Sequence, residues 1–178
     1  MEDHVEEKIE TRKREVKNWL GNKYNLAILG VLIFAFALRI YYFTLTKSQP
    51  LWWDEVVYGS IAKNLYLGGP WSDTFLITHE TLIRPPLFPY LWLVLLKLGI
   101  EEVGIRFLLE FTPSMITVVF VYLIGKELYN KRVGLIGAFV LSSLWIHLFY
   151  TSRLLTHLPE MALFFPSHIL AKVQLPGS

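Results

Sequence analysis

The stretch that decides the fold is Tyr24–Leu45, YNLAILGVLIFAFALRIYYFTL. It runs 22 residues with a single charge, Arg39. About 20 apolar residues cross a hydrocarbon core, so this reads as a membrane-spanning helix rather than as the core helix of a soluble domain. The rest of the chain agrees. Of its 178 residues 53% are hydrophobic, the mean hydropathy is +0.41, and the apolar residues stand in long blocks. Arg39 sits about two turns from the end of the segment, where its head either snorkels outward or lies beneath an anionic head group. The chain has no cysteine, which excludes disulfides and thiolate metal sites.

Upstream, residues 1–23 carry Lys8, Arg12, Lys13, Arg14, Lys17 and Lys23. Val5, Ile9, Val16, Trp19 and Leu20 fall on one helical face, which reads as a cytoplasmic amphipathic tail on the membrane. Glu6, Glu7, Glu10 and Glu15 interrupt the positive charge and argue against a nucleic-acid arm. No cleavable signal peptide is visible, because the apolar stretch is too long and lacks a small-residue cleavage site.

Downstream, residues 46–103 form a long connection with its own pattern. Asp54 suits a helix N-cap, apolar residues follow at helical spacing over about 55–67, and Gly68 and Gly69 end the run. A second apolar run, 87–98, has 12 residues with Pro89 inside. It is too short to span and reads as an interfacial or re-entrant helix. That choice sets the topology. Lys126, Lys131 and Arg132 give three positive charges within residues 126–133, against four in the whole of 47–103. The tail and the 126–132 loop therefore share the cytoplasmic side. Spans are expected at 24–45, 104–125 and 133–149, with an external loop at 150–157, a partial fourth span over 158–171 and a tail at 172–178. The fold class is all-α: a multi-pass helical membrane protein of three to four spans, with a long external loop of interfacial helices. Arg106 lies one turn before Glu110, and the spacing predicts that the two pair.

This topology gathers three polar clusters on the outer face. They are Asp54 with Glu55; His79 and Glu80 with Arg84; and residues 151–157 with Glu160. Trp52, Trp53 and Tyr58 flank the first, as aromatic residues do at a bilayer boundary. By itself the Asp54–Glu55 pair reads as a helix N-cap with a first-turn acid that stabilises the helix dipole.

Three segments then resemble a known family. ALRIYYFTLTKSQPLWWDEVVYGSIAKNL (37–65) looks like the end of the first span and the start of the first external loop of the GT-C membrane glycosyltransferases. These enzymes use polyprenyl-phosphate sugars, and include protein mannosyltransferases and the aminoarabinose transferase of lipid A. IRPPLFPYLWLVLLKLG (83–99) is similar to a basic Pro-Pro-Leu element of that loop. Residues 123–165 resemble the helix, basic loop, helix and outer loop that follow. The resemblance covers roughly residues 30–165.

It implies a cell-membrane protein, N-terminus cytoplasmic, that transfers a sugar from a polyprenyl or dolichyl phosphate to a protein, lipid or glycan hydroxyl. Asp54 would be the base or position the acceptor, and Glu55 would assist or bind a divalent metal. Arg84, with Arg39 and Arg153, would hold the leaving phosphate, where a guanidinium fork suits the charge that develops. His157, near the family's second-loop acid, and Glu160 are second-loop candidates. His79 and Glu80 are weaker metal ligands. Family members are longer, so the chain is expected to be their N-terminal catalytic portion. The competing reading is a non-enzymatic, degenerate fragment or a helical subunit that needs a partner chain. A transporter is disfavoured, since no repeated broken helices occur.

Overall fold

The computed structural model describes residues 2–71 and 85–164, and every regular element among them is helical. The first helix, α1 (Glu2–Leu20), ends at Gly21 and Asn22. Asn22 is extended, and its side chain accepts the Tyr24 N–H at 3.0 Å, so it caps the next helix and separates the two.

That helix, α2 (Lys23–Thr46), has 24 residues, about 36 Å at 1.5 Å per residue. It buries one stripe, Ile28, Ala35, Arg39 and Phe43, and exposes Leu26, Ile33, Phe36, Tyr41 and Leu45. A helix apolar on all sides, packed along one stripe only, suits a lipid surround. Two short helices follow, α3 (Asp54–Tyr66) and α4 (Leu87–Lys97). At 11 residues α4 is about 16 Å long, roughly half the hydrocarbon thickness. The second long helix, α5 (Glu102–Leu128), has 27 residues. Both α2 and α5 are long and apolar enough to cross a membrane.

Within α5 a π-turn spans Phe107–Phe111, where the Thr112 N–H reaches back to the Phe107 carbonyl. Pro113 follows directly. It has no N–H, and in a regular helix its ring would meet the carbonyl four residues back, so the wider turn opens the ladder where it would fail. The final elements are α6 (Lys131–Ser143), capped by Asn130 with bonds to the Arg132 and Val133 amides, and α7 (Trp145–Tyr150). A last helical stretch runs over 157–164.

The single third span expected over 133–149 is thus two helices broken at the extended residue Leu144. Ser142 and Ser143 bond back to carbonyls of Ala138, Phe139 and Val140. Such local bonds compete with the helix ladder and weaken it at its end. Arg39 then takes the Ser142 carbonyl at 3.3 Å.

Two cores organise the molecule. Ile28, Ala35, Val118, Tyr122 and Ala138 join α2, α5 and α6. The hairpin between α5 and α6 is close enough that a Cβ on Gly134 would lie 2.5 Å from the Tyr122 carbonyl oxygen. Tyr58, Ala62, Phe88, Trp92, Ile105 and Leu154 bind α3 and α4 to the Glu102 end of α5 and to the chain after α7. The second core fixes the loop before α3 against residues 149–157, and a cleft opens between them.

Candidate active site

Residues 51–55 enter the cleft through a sharp reversal. Trp53 has φ 51 and ψ −121, a region that favours glycine and costs a residue with a side chain about 1–3 kcal/mol. Trp53 takes the cap position, so Asp54 begins the helix instead of capping it as its residue type suggests. Glu55 makes the backward bond: its Oε2 accepts the Trp52 N–H at 2.9 Å.

Glu55 is 1% exposed and is held on all sides. Its Oε2 also accepts from Arg153 Nη1 at 3.1 Å, and its Oε1 accepts the Leu154 N–H at 2.7 Å. Arg106 Nη1 stands 3.5 Å from Oε1. The next amide, Leu155 N–H, donates to Oε1 of Glu110 at 3.0 Å. Two buried acidic side chains from different helices thereby grip successive amides of one loop. Arg106, also fully buried, donates to the Ser152 and Gln49 carbonyls and to Glu102 at 2.9 Å. The pairing expected between Arg106 and Glu110 is replaced by this arrangement. Glu102 precedes Arg106 by four residues, the better order on a helix, while Glu110 turns to the loop.

The cleft is about 260 Å³ and is lined by Trp52, Trp53, Asp54, Glu55, Phe149, Tyr150, Arg153, Leu155 and His157. Asp54 is partly exposed there. Arg153 lies over the rings of Trp52 and Phe149, 5.8 and 5.4 Å from their centroids, and keeps part of its side chain open. His157 is exposed and stacks on Tyr150 at 4.9 Å. Besides the enclosed Glu55, the wall thus offers one carboxylate, one guanidinium and one imidazole among aromatic rings.

The structure therefore brings Asp54, Glu55, Arg153 and His157 together. Glu160 is exposed and does not line the cleft. Arg39 lies elsewhere and does not snorkel: it is fully buried, donating to Ser114 Oγ at 2.7 Å, to the Ala35 and Ser142 carbonyls, and to His147 Nδ1 at 2.9 Å. A guanidinium only donates, so Nδ1 accepts and a neutral His147 carries its proton on Nε2. With its forks engaged among α5, α6 and α7, Arg39 ties helices together and is closed off from a phosphate in the cleft. His79, Glu80 and Arg84 fall outside the described residues.

Among the described residues no three His, Asp or Glu side chains gather as a metal site. Glu55 has both oxygens occupied by N–H donors, which leaves it a poor ligand. Arg106 as the partner of Glu55, Glu110 as the anchor of Leu155, and the role of His147 are not legible in the sequence. Only the order of Glu102 before Arg106 was available as a signal.

A family model described as dolichyl-phosphate-mannose-protein mannosyltransferase matches residues 83–173, more than half of the 178-residue chain. No curated protein and no solved structure matches.

Proposed function

Because the chain belongs to the dolichyl-phosphate-mannose-protein mannosyltransferase family, we propose that its cleft serves sugar transfer from a lipid-linked phosphate donor to a protein hydroxyl. The observation that carries this reading is the placing of Asp54 and Arg153 on one aromatic-walled cleft. Asp54 accepts the proton of the acceptor hydroxyl as its oxygen attacks the anomeric carbon. The bond between that carbon and the phosphate oxygen breaks, and the electron pair leaves with the lipid phosphate. Positive charge near the leaving oxygen lowers the barrier, since the negative charge grows there. Arg153 supplies it in the cleft, and Arg84 is the second cation of this reading. His157, stacked on Tyr150, orients the acceptor.

Glu55 acts differently from its neighbour. Its carboxylate positions Arg153 and the Leu154 amide, and it takes no proton in this scheme. No step runs through a metal, because the ligand set around Glu55 does not fit one.

The accompanying topology places the N-terminus and the α5–α6 turn in the cytoplasm and the cleft on the opposite face. There α3 and α4 lie in the interface, α2 and α5 span, and α6 with α7 forms a broken third crossing. The donor class is tested with the protein in proteoliposomes, a Ser/Thr peptide acceptor, and either polyprenyl phosphate mannose or a nucleotide-linked mannose. Mannosylated peptide is expected from the lipid donor alone. Transfer from the nucleotide sugar, or from neither, overturns the reading.

A further inference from the structure

Trp53 pairs a costly backbone conformation with an exposed ring. Its backbone, φ 51 and ψ −121, is one that glycine adopts without strain. Its side chain is the largest of the common set, yet the residue is 74% exposed, so burial of the ring does not offset the strain. Backbone of this kind persists where its surroundings fix it, and it clusters at ligand sites. The fixing contacts are visible. Glu55 Oε2 accepts the Trp52 N–H at 2.9 Å, the Val56 N–H bonds the Trp53 carbonyl at 3.0 Å, and the Trp52 ring meets the Trp53 ring edge-on at 5.9 Å. The result is an indole held at the cleft beside Asp54.

We propose that Trp53 is a sugar-stacking residue, whose indole face receives the C–H face of a pyranose while the ring hydroxyls reach Asp54. The inference rests on the proposed sugar transfer and names the subsite for the sugar itself. Three features favour a sugar ring over the isoprenoid part of a lipid donor. At about 260 Å³ the cleft lies below the ~300–1,000 Å³ of pockets for drug-sized ligands, which suits one ring and not a long chain. Its walls alternate rings with Asp54, Arg153 and His157, matching a ligand with apolar faces and polar edges. A hydrocarbon would take water from the polar part of that lining and offer it no hydrogen bond in return. A tryptophan that merely anchors the chain at the bilayer boundary needs no glycine-like backbone.

The test measures equilibrium binding of a short-chain polyprenyl phosphate mannose, and of the same polyprenyl phosphate without sugar, to the full chain in nanodiscs. The wild type is expected to bind the mannosylated ligand roughly tenfold more tightly. Trp53→Gly should erase that margin, leave affinity for the bare phosphate within about twofold, and keep or raise Tm, since glycine suits the backbone. Trp53→Asn, which also tolerates positive φ, should behave alike if Trp53→Gly folds poorly. Absence of a margin in the wild type, a margin that survives both variants, or an equal loss for both ligands overturns the proposal. Transfer activity is measured separately. A margin without mannosyl transfer sinks the proposed function and leaves the sugar subsite, whereas transfer with an unaltered margin sinks the stacking role alone.

Discussion

Asp54 and Glu55 are neighbours of the same charge, and the structure gives them different surroundings. Asp54 keeps access to the cleft, while Glu55 is closed in by Arg153, Arg106 and two backbone amides. A sequence shows two adjacent acids after an apolar run, which puts both near a membrane boundary. It does not show which acid faces inward, because one residue of helix rotation, about 100°, decides it. The Arg106 network was illegible for a related reason. Acids stand one turn to either side of it, and its third partner, Glu55, is on another helix. Removing one member of a buried ion pair strands the other, at about 3–5 kcal/mol. Glu55→Ala should therefore destabilise the protein by about that amount in thermal unfolding in detergent, with Glu102 retaining part of the hold on Arg106. Asp54→Asn, at the partly exposed neighbour, should leave Tm within a degree or two. Equal loss in both variants would show that the two acids share one structural role.

At the scale of elements, the apolar runs marked the helices, and their breaks were the harder part. Gly68, with φ 80, ends the helical run of α3 close to where glycine after periodic residues predicts. The break at Leu144 was hidden, since no proline or glycine marks it, and it follows instead from serine bonds and from the reach of Arg39. The π-turn lies directly before Pro113, which is its one mark in the sequence. Close packing of α5 on α6 yields a direct prediction. In Gly134→Val the new side chain would meet the Tyr122 carbonyl and the Lys126 amide, at 2.5 and 2.9 Å from Cβ. Overpacking costs about 1–3 kcal/mol, and backbone atoms yield less readily than side chains. Gly134→Val should lower stability by at least that much, while Gly30→Val, where a Cβ meets nothing within 4 Å, should change it little. Comparable Tm values for the two variants would refute the close contact.

For the whole molecule, the all-helical class and two membrane-length helices follow from apolar block length, which sequence displays directly. The meeting of residues 52–55 with 149–157 does not, because it depends on the second core, where Tyr58, Trp92, Ile105 and Leu154 converge from four segments. The proposed topology has its own check in the cysteine-free background. A cysteine introduced at position 73 should react with a membrane-impermeant thiol reagent from the non-cytoplasmic side, and one at position 130 only after the membrane is opened. The reverse pattern would invert the account. The most direct test of the central claim is the rate of mannosyl transfer from polyprenyl phosphate mannose to a peptide, for wild type and Asp54→Asn at equal membrane abundance. A positioned general base contributes about 10²–10⁴-fold, so the variant should lose at least a hundredfold while remaining folded. Transfer at the wild-type rate by Asp54→Asn would contradict it.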